Sequence, residues 1–289
     1  MLPEPEPRRV PLNHSHQPAP NASKVRAQIK ALINREFFAE TSHLTELEQW
    51  LRARCEDRLC GRIIGPQRCG KTTIATECVD RISGQKGALR PIPLRAHYTK
   101  CLTSWHSRKL FNQITKELGR GARGGQPEDY RFRAYDAVEL FRLEALLVDN
   151  AHYLTEKAIC DLTELAKDCG ISVVLMGPTG LDKVLKKLDL FEYFQPHYPF
   201  SNLSGTEFSG LIKTFERDFL KLPESVKLID STAVTNLFNA SVGNFGSLID
   251  ILIQVVKNSS TDEAFYFDNQ VLNQVLEGYG EITVATPSD

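Results

Sequence analysis

Residues 65 to 73 read GPQRCGKTT, and no other stretch narrows the possible folds as far. The stretch fits G-x-x-x-x-G-K-[ST] in full. It follows an apolar run, CGRIIG at 60–65, and opens a helical pattern at 71–82. Strand, loop and helix in that order are the context the motif requires. Its glycines let backbone N–H groups turn inward around phosphate oxygens, and the following helix N-terminus adds favourable partial charge. Lys71 is placed to reach the outer phosphates and Thr72 to hold Mg²⁺. The candidate phosphate-binding residues are Gly65, Pro66, Gln67, Arg68, Cys69, Gly70, Lys71, Thr72 and Thr73.

Around this loop, short apolar runs alternate with amphipathic stretches. The runs are CGRIIG (60–65), RPIPLRA (90–96), ALLVD (145–149) and ISVVLMG (171–177); helical patterns lie at 71–82, 109–118, 130–142 and 156–169. Strands alternating with helices over this length predict an α/β fold, a parallel sheet with helices on both faces. HYPF (197–200) fits a last strand, and its proline suits an edge. A helix is expected from about residue 43 (HLTELEQWLRARCE), and only helical patterns remain after residue 201. The expected organisation is a proline-rich arm (1–22), N-terminal helices (23–58), a nucleotide-binding core (59–200), a helical lid (201–280) and a tail (281–289).

ALLVD ends in Asp149, the second expected Mg²⁺ partner, since an acidic residue closing a buried strand is the usual companion of such a loop. Asn150 follows it, where an ATP-hydrolysing machine carries the glutamate that takes a proton from the attacking water. An amide can orient a water but cannot take its proton. His152 lies close enough in sequence to be a second, weaker catalytic candidate, although a histidine beside a strand is more often structural.

Composition excludes several classes. Among 289 residues, 42% are hydrophobic and 25% charged, the profile of a globular protein. No apolar run is long enough to span a membrane, and the N-terminus has no secretory h-region, so a cytoplasmic protein is expected. Seven cysteines without a CxxC spacing argue against a disulfide framework or zinc site. The net charge of −1 means that nucleic-acid binding needs a local basic surface.

The order and spacing of CGRIIGPQRCGKT, LRAHYTKC, RKLFNQIT, ALLVDNAHYL, LAKDCGISVVLMGPTGLDKVL and LSGTEFSGLIKTFERDFLKLP make the chain resemble a known family from about residue 43 to 256. It is similar to the TniB/TnsC AAA+ ATPases of transposons, most closely the short TnsC proteins of CRISPR-associated transposons. The resemblance implies an AAA+ core with a lid, ATP and Mg²⁺ as ligands, and assembly into a homo-oligomer (a helical filament or ring) on double-stranded DNA. It also implies recruitment of a transposase and a target-site adaptor. By the same resemblance, DNA contacts fall in SRKLFNQITKELGRGARGGQPEDYRFR, with Arg108, Lys109, Lys116, Arg120, Arg123 and Gln126 as candidates, and Arg131 and Arg133 nearby. Gln126 stands where the family carries a small hydroxyl.

Three further departures from the family bear on hydrolysis. The family's arginine finger precedes the last strand, where this chain reads FEYFQPHYPF with His197 as its only candidate cation. Ser247 stands where a lid arginine senses nucleotide, and Pro178 with Thr179 stands at the first sensor. A positioned base contributes roughly 10²–10⁴ in rate and an arginine finger roughly 10³–10⁵. Without both, the barrier rises by about 7 kcal/mol even at the low ends. The expectation is a protein that binds ATP and hydrolyses it weakly or not at all. An active DNA-stimulated ATPase, completed by an arginine from a partner subunit such as Arg217 or Arg142, is the alternative, and a signalling switch with no DNA role is another.

Overall fold

The computed structural model describes residues 27, 30–34, 37–84, 95–119, 127–219, 229–259 and 269–283. The proline-rich arm, Arg120, Arg123 and Gln126 lie outside them. The chain clusters into two compact units, Phe37–Asp250 and a second built from Met1–Glu36 with Ile251–Asp289.

The larger unit holds a five-stranded, all-parallel sheet in the order β2-β3-β4-β1-β5. Its elements are α1 (Ser42–Asp57), β1 (Gly61–Ile64), α2 (Lys71–Ser83), β2 (Ala96–Lys100), α3 (Ser107–Glu117), α4 (Pro127–Leu140), β3 (Ala145–Asp149), α5 (Glu156–Cys169), β4 (Ser172–Gly177), α6 (Gly180–Lys187) and β5 (His197–Pro199). Helices α7 (Gly205–Thr214) and α8 (Ser231–Ser241) follow, then α9 (Phe245–Ser259), which crosses the unit boundary. The second unit ends with α10 (Asn269–Thr283).

The central strands are apolar on both faces because both faces are covered. Leu146 and Val148 of β3 and Val173 and Leu175 of β4 point into a core closed by α3, α4, α5 and α6. Their neighbours Ala145, Leu147, Val174 and Met176 point the opposite way, onto α1 and α2. Each such fully buried Leu, Val or Met side chain contributes about 1.5–3 kcal/mol relative to exposure. Side-chain caps fix several helix starts. Thr155 accepts from the Ala158 N–H, and Ser204 with Glu207 forms a reciprocal capping box ahead of α7.

The described part of the second strand is Ala96–Lys100, and residues 90–94 of the expected run lie outside the described residues. Helix α6 lies outside the expected helical patterns; it is short, with Thr179 as its N-cap and Gly180 as its first residue. HYP does form β5, at a sheet edge beside β1. All seven cysteines are free thiols. Among the described residues, no helix is long and apolar enough to cross a membrane.

Arg62 is a buried charge on β1. Its guanidinium donates to Asp182 at 2.8 Å and to the Phe194 carbonyl at 3.0 Å, and stacks over Phe191 at 4.1 Å. It pins the turn ahead of β5 from the inside.

Candidate nucleotide site

The loop and Asp149 meet at the carboxyl ends of β1 and β3, where parallel α/β sheets bind ligands. Gly65 leaves β1 against the next segment. A Cβ there would sit 2.0 Å from the Phe200 carbonyl oxygen, so only glycine fits. Gly70 adopts φ 99° and precedes α2 without a side-chain cap, which leaves the helix's first N–H groups for a ligand. Lys71 Nζ donates to the carbonyls of Gly65, at 2.9 Å, and Pro66. The Cys69 thiol lies inside the loop, donating to the Pro66 carbonyl at 3.0 Å, and burial pushes it up from its ordinary pKa. The side chain is buried and packs within the loop.

Asp149 is 2% exposed and receives three donors. Thr72 Oγ1 and the Tyr98 hydroxyl both donate to Oδ2, at 2.6 and 2.7 Å, and the Asn150 N–H donates to Oδ1 at 2.7 Å. Burial first, then the Asp149 carboxylate, pushes the Tyr98 hydroxyl well above the usual phenol range. Tyr98 therefore stays a donor, and the sequence pattern did not single it out. Thr72 and Asp149 supply hard oxygen donors side by side, which fits Mg²⁺, an ion commonly held by one or two protein oxygens together with phosphates. Among the described residues, no group of three or more His, Cys, Asp or Glu side chains is placed for a metal.

Asn150 occupies the left-handed region (φ 55°, ψ 37°), which asparagine tolerates better than most residues. Its Nδ2 donates to the Cys101 carbonyl at 3.0 Å, while the Cys101 N–H donates to the Asp149 carbonyl at 3.0 Å. The amide thus ties the end of β3 to the end of β2. His152 Nδ1 is buried without a hydrogen-bond partner, and its ring tilts against Tyr153 at 4.1 Å. Burial lowers its pKa, the Asp149 charge opposes this and the Lys71 charge adds to the lowering.

A pocket open to solvent adjoins the loop at Cys69, Gly70 and Thr73. Phe37, Phe38, His43, Ile74, Phe200 and Phe245 are among its walls. Phe37 and Phe245 stack at 6.3 Å, and His43 stacks on Phe200 at 4.3 Å. Flat apolar walls beside a phosphate-binding loop suit a planar base. None of the sequence motifs marked this pocket, because its walls come from four separate segments.

The described basic candidates lie on and beside α3, which buries Leu110, Phe111 and Ile114. Arg108, Lys109 and Lys116 are exposed. Arg108 and Arg133 lie over the Tyr130 ring, each at 4.8 Å, and Arg108 also donates to its hydroxyl. Lys109 lies over Trp105 at 5.2 Å. Arg131 points elsewhere: it pairs with Glu164 at 2.6 Å and lies near Asp161 and Asp168 of α5. Its charge is spent within the protein, which removes it from the expected basic surface.

The order of the sheet, the loop after β1 and the acidic end of β3 define an AAA+ P-loop fold. Residues 53–185 match the family described as AAA domain. Among solved structures, the Aeropyrum pernix ORC1 protein in complex with DNA is similar at 13% identity with a TM-score of 0.61, over 85% of this chain and 68% of that one. The Aeropyrum pernix ORC2 protein in its ADP form is similar at 11% identity and a TM-score of 0.62, over 87% and 71%. A Thermotoga maritima RuvB variant is similar at 15% identity and a TM-score of 0.51, over 83% and 69%. No curated protein sequence matches the chain.

Proposed function

We propose that the chain is an ATP-binding AAA+ regulator of transposition, one that assembles with copies of itself on double-stranded DNA and uses nucleotide as a ligand more than as a fuel. In this reading the base occupies the aromatic pocket, the phosphates meet the loop and Lys71, and Thr72 with Asp149 holds Mg²⁺. The bound ion neutralises phosphate charge; the chain's own part is to position and shelter the nucleotide. The assembly acts in the cytoplasm and recruits a transposase and a target-site adaptor, as the resemblance to transposon AAA+ proteins implies.

The observation that carries the reading is the fate of Asn150. Its side-chain donor is engaged by the Cys101 carbonyl, so the position of the missing base serves the strand ends. The loop and Asp149, by contrast, keep every group that binding requires. DNA association rests on the exposed cations Arg108, Lys109 and Lys116 and on the family pattern. The similar Aeropyrum pernix ORC1 protein is described as in complex with DNA, which agrees with it.

Sedimentation of the purified chain with double-stranded DNA, with ATP, with ADP or with no nucleotide, tests the proposal. Large ATP-dependent complexes without phosphate release are expected. Monomeric protein that ignores DNA under every condition contradicts it and favours a signalling switch.

A further inference from the structure

Arg68 sits in the middle of the phosphate loop at φ 62°, a conformation disfavoured for a residue with a Cβ. What holds it there is the start of α9. The Gly246 N–H donates to the Arg68 carbonyl at 2.8 Å. The Arg68 guanidinium returns a bond to the Gly246 carbonyl at 3.2 Å and pairs with the Asp250 carboxylate one turn on. Beside this pair, Asn244 Nδ2 donates to the Gln67 carbonyl at 3.0 Å, and Asn244 Oδ1 caps the Ser247 N–H at 3.1 Å. The approach is close enough to demand glycine: a Cβ on Gly246 would sit 2.6 Å from Arg68 Cβ and 2.8 Å from its carbonyl oxygen. Phe245, the residue before, forms a wall of the aromatic pocket.

We propose that Arg68 and Asp250 are a positioning pair that latches the first turn of α9 onto the phosphate loop and so sets how long a bound nucleotide stays. The inference rests on the nucleotide-binding reading above and deepens it. Ser247 leaves this turn without a cation to send toward a phosphate. The direction of contact is reversed instead: the loop supplies the cation and the helix the carboxylate. Arg68 turns outward to Asp250, and its backbone stays with the loop. Lifting the turn draws the Phe245 wall away from the base and breaks the Arg68–Asp250 pair and the Gly246 bonds together. A ligand that orders the loop holds the turn down by the same bonds.

Two readouts on the full chain test this. The first is amide hydrogen exchange at Gly246, which needs no nucleotide. The second is the dissociation rate of a fluorescent ATP analogue chased with unlabelled ATP. Arg68→Ala and Asp250→Ala should each expose the Gly246 amide. Each should also speed release about two- to fivefold, the range for a partly exposed pair. Asp250→Ala should leave the association rate unchanged. Gly246→Ala should release faster still, because its methyl pushes the turn off the loop. The exchanged pair, Arg68→Asp with Asp250→Arg, should recover part of the wild-type lifetime, which distinguishes a latch from general damage. Unchanged release in both single variants, with binding intact, overturns the latch and leaves the nucleotide site standing. Failure of the wild-type chain to bind the analogue overturns the nucleotide reading and the latch's role with it, even where Gly246 protection falls as expected.

Discussion

The two halves of the nucleotide site are built to different standards. Around Lys71, Thr72 and Asp149, each polar group meets another at hydrogen-bonding distance, Gly65 fits where no other residue can, and Tyr98 adds a donor to the buried carboxylate. On the hydrolytic side, Asn150 is tied to Cys101 and Ser247 hydrogen-bonds within its own turn. The buried guanidinium of Arg62, beside the segment before β5, faces inward onto Asp182 and Phe194. Asn150 and Ser247 both hold structural contacts, and on the proposed reading the chain binds nucleotide without turning it over.

The contrast breaks most directly at Lys71. Lys71→Ala should weaken ATP binding by roughly 30-fold or more, the cost of removing one partner of a desolvated charge pair. Titration of a fluorescent ATP analogue measures it, and an unaltered affinity would place the phosphates elsewhere. Asn150→Glu sharpens the same contrast from the other side. It should raise phosphate release by about 10², the low end for a positioned base, with Ser247 still standing where the family's lid arginine is expected. The lost bond to Cys101 should cost about 1 kcal/mol in the melting curve.

Tyr98→Phe comes next. Losing a hydrogen bond to a charged group costs about 1.5–3 kcal/mol, so the Mg²⁺-dependent part of ATP affinity should fall about tenfold while Mg²⁺-free binding holds. On the basic surface, Lys109→Ala and Lys116→Ala should each flatten the salt dependence of DNA binding by about 0.9 in log–log slope. Arg131→Ala should lower stability and leave that slope alone. The smallest effect concerns pH. His152 has a lowered folded pKa, so its contribution to stability is present above 6.5 and is lost as pH falls through the folded value. His152→Asn should remove that part of the acid-side slope in denaturant titrations at pH 5 to 7.

The parts of this account that sequence could supply are the local ones. GPQRCGKTT is contiguous, and the apolar runs of β1, β3 and β4 announce strands buried on both faces. Asp149 is readable because it closes such a run. What escaped depends on pairing between distant segments. Tyr98 reaches Asp149 only because β2 lies parallel to β3 in a register that sets Lys100 opposite Asp149. Asn150 finds Cys101 through the same strand ends. Arg68 and Asp250 are joined only when the chain turns back through α7 and α8, and Arg131 reads as part of a basic run until α5 presents its acids. The aromatic pocket draws on residues from Phe37 to Phe245, and no periodicity links them.

The most direct measurement is steady-state phosphate release by the purified wild-type chain with ATP and Mg²⁺, with and without double-stranded DNA, beside a binding curve for a fluorescent ATP analogue. The account predicts saturable binding, with turnover no faster than roughly one per day, the rate left when about 7 kcal/mol is added to the barrier of an enzyme that turns over about once per second. Rapid DNA-stimulated release would contradict it, and would mean that a base and a cation reach the phosphates from residues other than Asn150 and Ser247.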